Sequence, residues 1–374
     1  MELLNVSNLS SNPLLLSLIP IFSLLIWLKL AKGKNMSLPP SPPKLPIIGN
    51  SHQFGKLPHR SLRDLSKNYG SLMLLNLGYN PTLVVSSVDT VREIVKNHDV
   101  FFSNRPRTTV RKRRRNRTSH QQNPFYLCRR WVQQVWGTGE KANGSLHRFL
   151  CWRYVPYLRW VDVLTGYIPS MKALSAELDG FLIQVIQEHR AVESREKNFV
   201  SIIMKHQKDG MFEDLTQENI KAILLDMFVG GTDTSATATE WIMAELLKHP
   251  NAMEKVQQEV RNVVGNKSKV DQDDITKMEY LKCVVKETLR LHPPVVFVPR
   301  KTSASIKLEG FDVPSDTTVL INAWAIHRDP KWWENPEEFI PERFENSSID
   351  FQGQDFHYIP FGFGRRDVPR SFEL

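Results

Sequence analysis

The stretch Thr216–Lys248 constrains the fold more than any other. It contains no proline, opens with Thr216-Gln217-Glu218-Asn219 and is closed by His249-Pro250, so it reads as one long helix. Its centre is Gly230-Gly231-Thr232-Asp233-Thr234-Ser235. Two glycines and three β-hydroxyl residues are costly inside a helix, and such violations of local preference mark functional positions. Met227, Gly230, Gly231, Thr234 and Ala238 share one face by their i, i+3, i+4 spacing. Four of these five are small or lack a side chain, so the face is shallow enough to lie against something flat. A threonine hydroxyl bonded back to a carbonyl can open a helix, and a neighbouring aspartate can relay protons. A plain kink at a glycine pair is the alternative for this stretch on its own.

The N-terminus carries a different signal. Pro13–Leu28 is apolar except for Ser17 and Ser23, with Lys29, Lys32 and Lys34 behind it and only Glu2 charged before it. About 20 apolar residues cross a bilayer. The charge behind the run fits an anchor rather than a cleaved signal peptide, with the body on the cytoplasmic side. Leu38–Asn50 is proline-rich, hence stiff and extended. It reads as a hinge that holds a body at a set angle to the membrane; an SH3-type ligand is the competing reading. Cys128, Cys151 and Cys283 are too few and too scattered for a disulfide framework or a zinc site, which fits a reducing compartment.

The net charge of +9 is not evenly spread. Val100–Gly139 holds ten Lys or Arg and no acidic residue, which leaves the rest of the chain near neutral. Residues 108–155 include the run Arg111–Arg117 and show no clear period. With Trp131 and Trp136 interleaved, they fit a nucleic-acid arm, a solvated tail, or sequence never selected to fold. The abrupt change of composition favours the last over a nucleic-acid site: a mis-spliced or frame-shifted segment standing in place of helices.

Elsewhere the pattern predicts helices over His59–Tyr69, Val88–Asn97 (with Asp89 as cap), Ser170–Glu188 and Met278–Leu291. Strands are expected at Leu72–Leu77, Thr82–Val85, Thr302–Leu308 and Thr317–Ala323. Residues 191–212 read as a polar surface connection. Met278–Leu291 is stopped by Pro293-Pro294 and carries Glu287-Thr288-Leu289-Arg290, with Glu and Arg on one face. Pro341-Glu342-Arg343-Phe344 follows. Near the end stands Pro360-Phe361-Gly362-Phe363-Gly364-Arg365-Arg366-Asp367-Val368-Pro369-Arg370.

This ordered set resembles the plant-type microsomal cytochrome P-450 family over about residues 13–107 and 157–366. The family's haem loop reads Phe-x-x-Gly-x-Arg-x-Cys-x-Gly. Phe361, Gly364 and Arg366 match it, Val368 stands where the ligating Cys belongs, and Arg370 replaces the last Gly. The resemblance implies a mainly α fold with small β-sheets, incomplete here, plus one N-terminal transmembrane helix. Residues 1–34 would be the anchor, 35–50 the hinge and 51–374 the haem domain, its C-terminal part truncated. It also implies haem b as cofactor and a monooxygenase reaction on a small hydrophobic substrate. Electrons would come from NADPH through a membrane-bound reductase, on the endoplasmic reticulum.

By the same match, Thr234 would hydrogen-bond the bound dioxygen and Asp233 would feed it protons. Glu287, Arg290 and Arg343 would form a buried triad beneath the haem. Arg300 and His292 would meet the haem propionates, although His292 reads equally well as a helix-end residue, and Phe361, Gly364 and Arg366 would belong to the cofactor-binding loop. Val295–Pro299 would line the substrate side, and His327 would be structural. Val368 has no donor atom, so the expectation is an impaired or inactive family member with no metal ligand of its own. The alternative is a non-catalytic, membrane-anchored protein that binds a partner or nucleic acid through Arg111–Arg117.

Overall fold

The computed structural model describes residues 36–104, 164, 179–187, 189, 199–210, 215–351 and 355–366. The expected anchor, the basic segment 108–155, Val368 and the side chain of Arg366 lie outside them. Among the described residues no helix is long and apolar enough to cross a membrane.

A four-stranded sheet joins an N-terminal hairpin to two strands from the C-terminal part of the chain. Strands β1 (Leu72–Leu77) and β2 (Asn80–Val85) form a hairpin; β6 (Thr318–Asn322) pairs parallel with β2, and β3 (Phe297–Lys301) pairs antiparallel with β6. The sequence of β1, Leu-Met-Leu-Leu-Asn-Leu, is apolar on both faces because both faces are covered. Leu72 and Leu74 join Leu83 and Val85 in one core with Val88, Val91 and Ile94 of α2 (Val88–Phe102). Met73, Leu75 and Leu77 point the other way, onto Leu62 of α1 (Pro58–Tyr69). The two-residue period of a strand deals its side chains alternately to the two cores. Each large apolar side chain so buried contributes about 2 kcal/mol.

Two expectations are corrected here. The cap of α2 is Ser87, whose hydroxyl accepts from the Thr90 amide, while Asp89 sits in the first turn and α2 runs on to Phe102. Residues 199–208 are not a loop but α3 (Phe199–Lys208). Its half-buried Val200, Ile203 and Met204 pack against Leu182, Ile186, Ile220 and Leu224, so a half-apolar segment inside a polar stretch is helical. The expected strand Thr302–Leu308 is displaced as well: β3 ends at Lys301, and only Ile306–Leu308 forms a strand, β4, paired with β5 (Phe311–Val313).

The long helix is α4 (Gln217–Lys248), capped by Thr216, whose side chain accepts from the Asn219 amide. Its 32 residues span roughly 48 Å. Its N-terminal third packs on α3 through Ile220 and Leu224. Its C-terminal end packs through Leu246 on α5 (Pro250–Val264) and on α7 (Glu279–Leu291), with Val256, Val284 and Leu291 in one cluster. Pro250 ends one helix and starts the next, because proline suits the first turn, where no amide is needed. Between these packed ends Met227, Gly231, Ser235 and Ala236 are exposed. The described residues also include the short helices α6 (Gln272–Thr276) and α8 (Ala323–Ile326) and a helical stretch at 179–187.

Candidate active site

The framework begins at α7. Glu287 and Arg290 are one helical turn apart and fully buried. Arg290 Nε donates to Glu287 Oε2 at 2.7 Å and Nη2 donates to Oε1 at 2.8 Å. The remaining Arg290 donors reach the carbonyls of His327, Pro336 and Glu338 at 2.7–3.0 Å. All five guanidinium N–H groups therefore have partners. Glu287 Oε1 also accepts from the Ile340 amide and from Arg343 Nε at 3.1 Å. Glu287, Arg290 and Arg343 thus meet as one triad, and Trp333 lies under the Arg290 guanidinium at 5.1 Å. Buried charge survives here because every Arg290 donor and both Glu287 oxygens are engaged.

The triad is wired to the Gly-rich loop by His327. Its Nδ1 faces the Arg290 carbonyl at 3.2 Å, and its Nε2 accepts from the Ile359 amide at 2.9 Å. That second bond requires a neutral ring, and burial with the nearby Arg290 charge lowers its pKa to about 3. The loop also hangs from the sheet core through Ile359 and Phe363, which pack with Ile94, Phe102 and Val298. Phe361 meets Phe351 edge-on at 5.4 Å. Gly364 has φ 65°, and a Cβ there would lie 2.7 Å from Asp99 Oδ1 on α2. Only glycine fits both the conformation and the close approach.

Arg300 on β3 is buried, with Nη2 donating to the Phe363 carbonyl at 2.9 Å and its guanidinium 5.4 Å from the Phe363 ring. A cation is thereby held against the loop, where it suits a carboxylate. His292 sits elsewhere: its Nε2 lies 2.8 Å from Glu245 Oε1, and its ring stacks on Trp241 at 3.8 Å and 4°. Its carboxylate partner comes from α4 of the same chain. Burial lowers its pKa against the opposing pull of Glu245. Glu245 (buried) and Trp241 gave no signal in the sequence, since their role exists only where α4 crosses the end of α7. The structure does not gather all the sequence-predicted residues: the triad, Arg300 and the loop form one connected unit, and Asp233 and Thr234 stand on α4. Thr234 Oγ1 donates to the Gly230 carbonyl at 2.5 Å. A Cβ on Gly231 would meet nothing within 4 Å, so that glycine keeps a stretch of helix backbone clear.

The cytochrome P450 family profile matches residues 39–134 and 141–367 of this sequence. A phenylacetaldehyde oxime monooxygenase of Prunus mume is 38% identical over 90% of this chain and 79% of its own length. Cytochrome P450 71A1 of Persea americana is 40% identical, covering 86% and 80%, and a desmethylyatein synthase of Sinopodophyllum hexandrum is 38% identical, covering 89% and 83%. The chain belongs to the cytochrome P450 family. Its similarity reaches further into the basic segment than the motifs do, through residue 134 and again from residue 141. The 417-position alignment with the Prunus protein draws on 90% of this 374-residue chain, about 337 residues, so about 80 positions of that relative face gaps here.

Members of the family bind haem. The loop suits such a group in one respect, the cation of Arg300 held against it. Val368, which stands where the family's loop pattern has its Cys, is aliphatic and would offer such a group no donor atom. Cys283, the free cysteine among the described residues, is buried with Trp333, Phe344 and Tyr358, and burial raises its thiol pKa. A thiol so placed is structural.

Proposed function

We propose that this chain is a cytochrome P450 monooxygenase by descent that binds haem weakly and does not turn over as it stands. The single observation behind this is Val368 at the ligand position of an otherwise recognisable loop. A thiolate-held haem supplies dioxygen activation by pushing electron density through iron, and a valine side chain has no lone pair to hold one. In the intact form of this site Arg300 and Arg366 would neutralise the haem carboxylates, and Phe361 and Gly364 would shape the loop. Asp233 and Thr234 would serve the oxygen side. The substrate class is a small hydrophobic specialised metabolite, in keeping with the names of the relatives, and the electron donor is an NADPH-dependent reductase. The apolar run Pro13–Leu28 places the protein on the endoplasmic reticulum with its body, residues 51–374, in the cytoplasm.

The test is the carbon monoxide difference spectrum of the reduced, haem-supplied protein. No thiolate-type Soret shift is expected; its presence overturns the proposal. The double variant Val368→Cys, Arg370→Gly is expected to gain the shift. A double variant that folds by circular dichroism, takes up haem and still lacks the shift shows that Val368 is not what disables the site.

A further inference from the structure

The candidate site falls into two units. Arg300 holds the Phe363 carbonyl, which ties β3 to the Gly-rich loop, whereas Asp233 and Thr234 stand on α4. Something must fix one against the other. Leu246 of α4 packs with Val256, Val284 and Leu291. Apolar contact is non-directional, so it does not by itself set the rotation of a helix about its axis.

A directional contact stands beside it. Trp241 and Glu245 follow Thr234 by seven and eleven residues, which is about two and three helical turns. They therefore extend the face that carries Met227, Gly230, Gly231, Thr234 and Ala238. Together they hold one imidazole from two directions. His292 Nε2 lies 2.8 Å from Glu245 Oε1 at the ring edge, and the Trp241 ring covers the imidazole face at 3.8 Å and 4°. The Nε2–H donates, because a carboxylate only accepts. Lys248 Nζ at 3.6 Å and His249 Nδ1 at 3.3 Å also reach the Glu245 carboxylate, but both belong to the same end of α4. His292 is what joins Glu245 to another element.

His292 passes the constraint on. It ends α7, its amide donating to the Thr288 carbonyl at 2.7 Å, and the Leu291 carbonyl before it accepts from Arg328 Nη2. Pro293 and Pro294 follow, and their fixed φ leaves little slack. Next comes β3, paired with β6 from Phe297 to Lys301 and carrying Arg300. One stiff line thus runs from Glu245 through His292 to Arg300 and the loop.

We propose that Glu245 and Trp241 are positioning residues. Gripping His292 by its edge and its face, they set the rotation of α4 about its own axis, and so the direction in which Gly230–Thr234 faces relative to Arg300 and the Gly-rich loop.

Nitroxide labels on the full chain test this. They are placed through Ser235→Cys, in the middle of α4, and Ser303→Cys, just past β3, both at exposed positions. Cys128→Ser and Cys151→Ser remove other labelling sites, and Cys283 is buried. Pulsed dipolar spectroscopy reads the distance between the labels. Turning a helix of about 10 Å diameter by roughly 30° swings its surface by about 3 Å, so Glu245→Leu is expected to shift or widen the distance by about that much. Glu245→Gln keeps an oxygen that accepts from Nε2–H and is expected to keep the distance. His292→Phe keeps a ring for the stack, loses the donor and is expected to match Glu245→Leu. Trp241→Leu, at a position 42% exposed, is expected to give a smaller shift in the same sense. Circular dichroism shows which variants fold, and the half-exposed Trp241 site keeps the test open if a buried substitution does not. Unchanged distances in the folded variants among Glu245→Leu, His292→Phe and Trp241→Leu overturn the proposal, even where urea midpoints fall, because that is the mark of a role in stability alone. A Gln variant as displaced as the Leu variant also overturns it, since charge rather than the hydrogen bond would then hold α4. The measurement needs no haem, so its outcome is separate from that of the carbon monoxide spectrum.

Discussion

Helices α4 and α7 both break the ordinary rules of helix composition, in opposite ways. On α7 the violation is charge in the interior, and the polypeptide itself resolves it: Glu287 and Arg290 are buried and every donor of Arg290 is used. On α4 the violation is two glycines and a run of hydroxyls in the middle of a 32-residue helix, and the described polypeptide leaves it uncovered. Met227, Gly231 and Ser235 are exposed between two well-packed ends. Among the described residues one motif is buried and paired, and the other is left open. Sequence violations of equal weight can therefore end up buried and paired or exposed, and only the packed structure tells them apart.

The contrast can be broken most forcefully at α7. Glu287→Ala leaves two arginines without their shared carboxylate, and loss of one member of a buried ion network costs about 3–5 kcal/mol. Little soluble folded protein is expected. A variant with an unchanged urea midpoint would show that the triad is not what holds the core.

A second effect follows from His327. Its pKa is depressed when folded, to about 3, and returns to its ordinary value near 6.5 on unfolding. His59, buried beside Arg60, Arg63 and Arg328, is depressed to about 4. Between these limits the unfolded chain binds more protons, so stability is full above about pH 6.5 and falls as the pH drops. The slope is up to about 1.4 kcal/mol per pH unit for each histidine. Denaturant midpoints from pH 7 to pH 4 measure it; a flat profile would place His327 outside the core.

The smallest effect belongs to α4. Gly231→Ala adds a methyl that meets nothing and removes a helix-breaking residue, so the haem-free protein should gain about 1 kcal/mol. Destabilisation would mean that the central face is already covered. In the Val368→Cys, Arg370→Gly background the same change is expected to weaken haem uptake, because the methyl occupies the cleared backbone.

Much of this was legible because it is local. The bounds of α4 follow from Thr216, a proline-free stretch and Pro250, and those of α7 from a period of apolar positions before Pro293. The triad was legible only through motif order, since nothing in the spacing of Glu287 and Arg343 brings them to 3.1 Å. Helix α3 was missed because it lies within the polar, basic stretch 191–212, although its own ten residues are half apolar. The Glu245–His292–Trp241 group was missed because three residues from two helices meet only where those helices cross.

The sequence by itself determined the family, the long helix with its small-residue centre and the absence of a thiol at position 368, because each is a matter of residue identity and near-neighbour spacing. Only the tertiary structure decided which charges are locked together, that His327 joins the triad to the loop, and that Glu245 engages His292. Those depend on where distant segments are brought into contact, and burial and hydrogen bonding between such segments are properties of the packed chain rather than of any stretch of it.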